Sequence, residues 1–176
     1  MYIWIGCKLP EDFQQEIRRH CLALNEGIGL DTVAFDLPQH ISLKISFPTD
    51  RPQAVLEELS AYLSDQQPFP VHILNAERMG SILWLPTTKN ETLDRLHREL
   101  DQLLECKFSV PQHPFDKCFQ FHSTLFIDPD AEKIIKMEKA LDHCHFARSL
   151  TVDTFLLGVS ETGKPGSYRI VRQIKV

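Results

Sequence analysis

His40-Ile41-Ser42-Leu43-Lys44-Ile45 and His122-Ser123-Thr124-Leu125-Phe126-Ile127 spell one pattern twice: histidine, any residue, small hydroxyl residue, leucine, any residue, isoleucine. Polar and apolar residues in alternation are the mark of a strand with one buried face. Each copy therefore carries an imidazole and an alcohol on one side of a strand. His40, Ser42 and Lys44 are expected to share a face, with Ile41, Leu43, Ile45 and Phe47 turned to the core. In the second copy His122, Thr124 and Phe126 share the polar face, and Phe121, Ser123, Leu125 and Ile127 the core side. Ser123 is the odd member, a hydroxyl that an interior tolerates when it is hydrogen-bonded.

The repetition runs past the strands. The first motif leads through Pro48 and Asp50 into a segment with Ala54, Val55, Leu59 and Leu63 at helical spacing. The second leads through Pro129 and Asp130 into one with Ile134, Ile135, Met137 and Leu141. This is a weak duplication of strand, turn and helix, its copies 82 positions apart and too far for a solenoid. Two lobes related by a pseudo-two-fold axis would each supply one histidine and one hydroxyl to a shared cleft.

The rest of the chain fits an α+β (mixed α/β) fold rather than a doubly wound parallel one. Residues 2–8 read as a strand. Pro10 opens a helix with Phe13, Ile17, Cys21 and Leu24 on one side, ended by Gly27 and Gly29. The first motif strand is expected over 40–47. β segments at 70–77 and 81–86 read as a hairpin around Met79-Gly80. Asn90 starts a helix carrying Leu93, Leu96, Leu100 and Leu103. A proline-containing loop over 107–117 precedes the second motif strand at 118–127, and 150–159 and 168–176 close the chain as strands around the turn at 161–166.

Composition sets outer bounds. The 176 residues, 43% apolar and 24% charged, suit a single domain spanning 1–176. A net charge of −5 and a pI near 5.9 argue against an extended basic face for long nucleic acid. A small nucleotide or an RNA end needs only a local positive cleft. Cys7, Cys21, Cys106, Cys118 and Cys144 form no CxxC pair and are odd in number, which suits reduced thiols in the cytoplasm. The opening residues lack the basic segment of a secretory leader, and no run approaches a membrane span. A monomer is expected.

Paired histidines and hydroxyls suit phosphodiester chemistry, which needs a base, an acid and donors for the non-bridging oxygens. Near neutral pH one imidazole can be neutral while the other is protonated. Ser42 and Thr124 would hold the phosphate. No metal and no cofactor is required. Lys44 is the best-placed cation, and Phe126 shares the motif face as a platform for a base, with Phe119, Trp84 and Tyr168 as further aromatic neighbours. Lys164, Arg169 and Arg172 read as solvated. His143-Cys144-His145 reads as a helix end rather than a metal site, because consecutive ligands rarely converge. His20, His72, His97 and His113 have no partner in sequence.

On these motifs the chain resembles the two-histidine phosphoesterase superfamily. That superfamily includes 2′-5′ RNA ligases, cyclic nucleotide phosphodiesterases and U6-type RNA exonucleases, and its signature is a pair of His-x-Ser/Thr-hydrophobic motifs. The match is His40-Ile41-Ser42-Leu43 and His122-Ser123-Thr124-Leu125, with the opening strand and helix also similar. The resemblance implies two pseudo-symmetric lobes, largely antiparallel sheets around a central cleft, and helices outside. It implies hydrolysis or transfer at 2′,3′-cyclic or 2′-5′ phosphodiester bonds. His40 and His122 would be catalytic, and Ser42, Thr124, Lys44 and Phe126 would bind substrate. One position departs: ligase-type members often carry arginine two residues after the second leucine, where this chain has Ile127. Metal-independent hydrolysis is thus the leading expectation. A nucleotide-binding module that does not turn over its ligand, RNA ligation, and a metallohydrolase using other histidines are the alternatives.

Overall fold

The computed structural model describes residues 1–176. Its centre is β1 (Tyr2–Lys8), whose middle five residues are all buried. The sheet explains why: β1 pairs on one side with β9 (Thr154–Ser160) and on the other with β2 (His40–Ser42) and β3 (Phe47–Pro48). With β10 (Arg169–Lys175) beside β9, this makes a five-stranded antiparallel sheet.

The second lobe holds the antiparallel sheet β5 (Glu77–Met79), β6 (Ile82–Pro86) and β7 (His122–Ile127). A two-stranded ribbon of β4 (Phe69–Ile73) and β8 (Arg148–Val152) adjoins it through the Ile73–Thr87 bridge. The lobes meet where β2 runs beside β7 without ladder pairing. One body of buried apolar side chains runs through both, including Ile5 and Leu157 in one sheet and Leu83 and Leu125 in the other.

Four helices cover the sheets: α1 (Glu11–Asn25), α2 (Pro52–Ser64), α3 (Glu91–Phe108) and α4 (Ala131–Leu141). α1 packs on α4 and α2 on α3. Asn90 caps α3 by accepting from the Thr92 and Leu93 amides, and Asp130 caps α4 in the same way from Glu132 and Lys133. Each helix buries most of the apolar stripe its spacing predicts; Leu24, Leu103 and Ile135 are half-buried at its margins, and Ala54 faces outward.

Three expectations are corrected by pairing. The hairpin is β5–β6 alone, turned at Gly80 with φ +60°, while residues 69–73 pair with β8. The 150–159 segment belongs to two sheets, changing partner at Asp153 between β8 and β9. The first motif strand stops at Ser42 and resumes only at Phe47. Gly6 faces Ser42 but Ile3 faces Phe47, so two extra residues bulge out of the ladder. No helix is long and apolar enough to cross a membrane.

Candidate active site

Cross-strand register builds the cleft face. In the first sheet His40 lies opposite Lys8, Ser42 opposite Gly6, and Gly158 opposite Trp4, so His40, Ser42 and Trp4 share one face. In the second, His122 lies opposite Pro86 and Thr124 opposite Trp84. The two faces adjoin where β2 meets β7, and one apolar-walled cavity takes in His40 from the first motif and Thr124 from the second.

Both imidazoles are held in one way. The His40 Nδ1 lies 2.7 Å from the carbonyl oxygen of Pro38, two residues earlier. The His122 Nδ1 lies 2.7 Å from that of Gln120, again two residues earlier. A carbonyl only accepts, so each Nδ1 carries the proton and donates it. Nε2 is left on each ring to take or give a proton. Each ring also rests on a tryptophan of the neighbouring strand, Trp4 at 4.2 Å for His40 and Trp84 at 4.1 Å for His122, between ring centroids. These are the only two tryptophans of the chain.

Trp4 does more than pack. Its indole lies flat over two strand glycines: a Cβ on Gly6 would fall 2.5 Å from Trp4 Cζ2, and one on Gly158 2.8 Å from Trp4 Cε3. From there Nε1 donates to Ser42 Oγ at 3.2 Å. An indole N–H cannot accept, so the Ser42 hydroxyl proton is left to point elsewhere. Trp84 differs, donating its N–H to Glu77 Oε1 at 3.1 Å. Sequence reasoning placed Trp84 only as a neighbour and missed Trp4. The available signal was a glycine inside each of two strand patterns, which marks close approach.

Two predicted site residues are not in the cleft, for one shared reason. Both motif strands bulge immediately after or at the leucine, and the next residue turns inward. In the first, Lys44 is 2% exposed. Its Nζ pairs with Asp116 at 2.7 Å and with Asp101. In the second, Leu83 faces Phe126 while Trp84 faces Thr124, so Leu125 is the extra residue. Phe126 is therefore fully buried, its ring 5.4 Å from that of Phe35. The same bulge turns Ile127, expected on the core side, out to 38% exposure at the cleft.

The 2′-5′ RNA ligase superfamily matches residues 10–164. The chain belongs to this superfamily. Among solved structures it is similar to TT0787 of Thermus thermophilus, at 18% identity and TM-score 0.72, covering 99% of this chain and 97% of that one. It is also similar to E. coli LigT complexed with 3′-AMP, at 17% identity and TM-score 0.68, covering 99% and 97%. LigT complexed with phosphate gives 15% identity and 0.62, covering 99% and 96%. No curated protein matches the chain in sequence.

Within this member of the 2′-5′ RNA ligase superfamily, burial lowers both histidines. His40 falls from 6.5 to about 4, chiefly by desolvation, helped by the charge of His122 and opposed by the Pro38 carbonyl. His122 is lowered by burial against the opposing Gln120 carbonyl. The His40 side of the cleft is walled by Val33, Ala34, Leu37, Ile127, Pro165 and Tyr168, with no lysine or arginine. Tyr168 is braced by donating to Ser46 Oγ at 2.8 Å. Phe119 lines a separate groove with Trp84, Thr87 and Lys89 beside the second motif. Of the remaining basic residues, Lys164 and Arg169 are exposed, and Arg172 binds Ser60 Oγ of α2 at 2.8 Å. His143 and His145 are exposed just beyond α4, and no group of histidine, cysteine or acidic side chains has a metal-holding arrangement.

Proposed function

We propose that this protein is a metal-independent phosphodiesterase that opens 2′,3′-cyclic or 2′-5′ phosphodiester bonds of a small nucleotide or an RNA end. The observation that carries the reading is the matched setting of His40 and His122. Each donates from Nδ1 to the carbonyl two residues earlier in its own segment, which leaves Nε2 free to take or give a proton. That LigT has been captured with 3′-AMP and with phosphate supports a ligand of this class.

The strong lowering of His40 supports one assignment of roles. His40, at about 4, is neutral over most of the working range and acts as base. It takes the proton of a water that attacks phosphorus. His122 acts as acid and gives its Nε2 proton to the departing ribose oxygen as the P–O bond breaks. The products are a phosphomonoester and a free ribose hydroxyl. Ser42, its proton freed by the Trp4 donation, and Thr124 donate to the non-bridging oxygens as charge gathers there. The uncharged wall around Ile127 favours a nucleoside over a second phosphate on the His40 side, and this weighs toward hydrolysis of cyclic esters over ligation.

The test is phosphorus NMR of 2′,3′-cyclic nucleotides incubated with the protein, beside calorimetry with nucleoside monophosphates. Conversion to a monoester, undiminished by excess chelator, is expected. Binding of monophosphates with no turnover of any cyclic nucleotide would make the cleft a binding module instead.

A further inference from the structure

The two strands that carry the histidines lie side by side without a ladder, so backbone pairing does not fix how far one has slid along the other. A single hydrogen bond joins residues 38–45 to residues 120–127: Ser123 Oγ donates to Gln39 Oε1 at 2.8 Å. These are the residues directly beside the catalytic pair, Gln39 before His40 and Ser123 after His122. We propose that the Ser123–Gln39 bond is the pin that sets the spacing of the two imidazoles, and that Ser123 and Gln39 are positioning residues for the chemistry. This rests on the reading that both histidines work on one phosphate.

The acceptor end of the pin is held from three sides. The Gln39 amide donates to Gln14 Oε1 of α1 at 2.9 Å, and its carbonyl accepts from the amide of Leu9, just past β1, at 3.0 Å. Its Nε2 donates to the Ala34 carbonyl at 3.2 Å. Gln14 is tied in turn, its Nε2 donating to the Leu9 carbonyl at 2.7 Å. The donor end is fixed by the β7 register, where Ser123 faces Leu85. Ser123 is fully buried and Gln39 only 4% exposed, so water competes for neither.

An apolar residue at 123 would fill the same core position with no partner to find. A buried network costs much when one member is missing, and what it contributes when complete is a unique arrangement. Adjacent strand residues are about 3.3 Å apart. A bond one residue from each histidine therefore transmits its geometry to both rings with little slack. The Lys44–Asp116 pair also reaches the first motif, but it ends outside the second.

Ser123→Ala, which removes only the hydroxyl, is the test. The expected result is a kcat lower by about ten- to a hundredfold with KM little changed, since a misplacement of about 1 Å in a catalytic group costs on that order. NMR titration of the histidines supplies a readout independent of turnover. As the rings separate, the charge of His122 depresses His40 less, and the His40 midpoint moves up. A drop in thermal stability alone, with kcat and the His40 midpoint both as in the parent, would overturn the proposal. If the parent protein turns over no cyclic nucleotide, the functional reading has failed. An unmoved His40 midpoint in Ser123→Ala would then dispose of the pin as well, and a raised one would uphold it.

Discussion

Replacing Gly6 by alanine adds one methyl group to the cleft floor, and the structure fixes what it meets. The new Cβ would lie 2.5 Å from Cζ2 and 3.0 Å from Cη2 of Trp4, and 3.3 Å from Cδ2 of His40. Carbon atoms rest about 3.5–4.0 Å apart, so the indole has to lift by about 1 Å. It cannot slide along the sheet without losing its seat over Gly158, and lifting drives it at His40 and breaks its bond to Ser42. Overpacking of this kind costs about 1–3 kcal/mol. Alanine regains about 0.5–1 kcal/mol over glycine in a strand. The net loss is about 1–2 kcal/mol, a fall in Tm of about 3–6 °C at this chain length. Displacing His40 by about 1 Å should lower kcat by about a hundredfold. Trp4→Phe lacks the atoms that clash, so Gly6→Ala should cost little in that background, giving a coupling of about 1–2 kcal/mol in a double-mutant cycle. Thermal melts and cyclic nucleotide turnover on the four proteins decide it. Equal costs in both backgrounds would refute the seating of Trp4 over Gly6.

The pH profile of kcat/KM should be a bell on the acid side of neutrality, rising through the His40 midpoint near 4 and falling at the His122 midpoint, below 6.5. An optimum above pH 7 would reject the role assignment. Stability should follow the same groups. His40 takes its proton at 6.5 when unfolded but only near 4 when folded, so the unfolded chain binds the extra proton between these values and stability falls as pH drops from 6.5 to 4. The His40 contribution is up to about 3 kcal/mol, and His40→Phe should flatten that limb of a pH series of urea melts. Lys44→Met should cost about 3–5 kcal/mol by leaving the Asp116 carboxylate buried and uncompensated. The folded variant should keep its KM, and adding Asp116→Asn should recover much of the loss. A raised KM without loss of stability would return Lys44 to the substrate.

The motif residues were legible because they sit before the bulges, where strict alternation holds. Beyond Leu43 and Leu125 it fails, and Lys44 and Phe126 were misplaced together for that reason. A bulge is a property of the register between two strands, and nothing in either motif alone records it. Lys44 also answers to Asp101 and Asp116, 57 and 72 positions away. The hydrogen bond that Ser123 needed was foreseeable from its place on an apolar face, but its partner was not. Helix α3 could be read closely because its signals are local: the Asn90 cap and a leucine stripe. The pairing of β1 with β9, which closes the first lobe across the whole chain, left no local trace.

The most direct measurement is single-turnover hydrolysis of a 2′,3′-cyclic nucleotide by the parent protein, His40→Ala, His122→Ala and the double variant. Removal of either acid–base partner should lower the rate by about 10²- to 10⁴-fold, with the double variant little worse than the weaker single one, as for groups that act as a unit. Retention of the parent rate by either single variant, in a protein shown to be folded, would contradict the pairing of these two histidines at one phosphate.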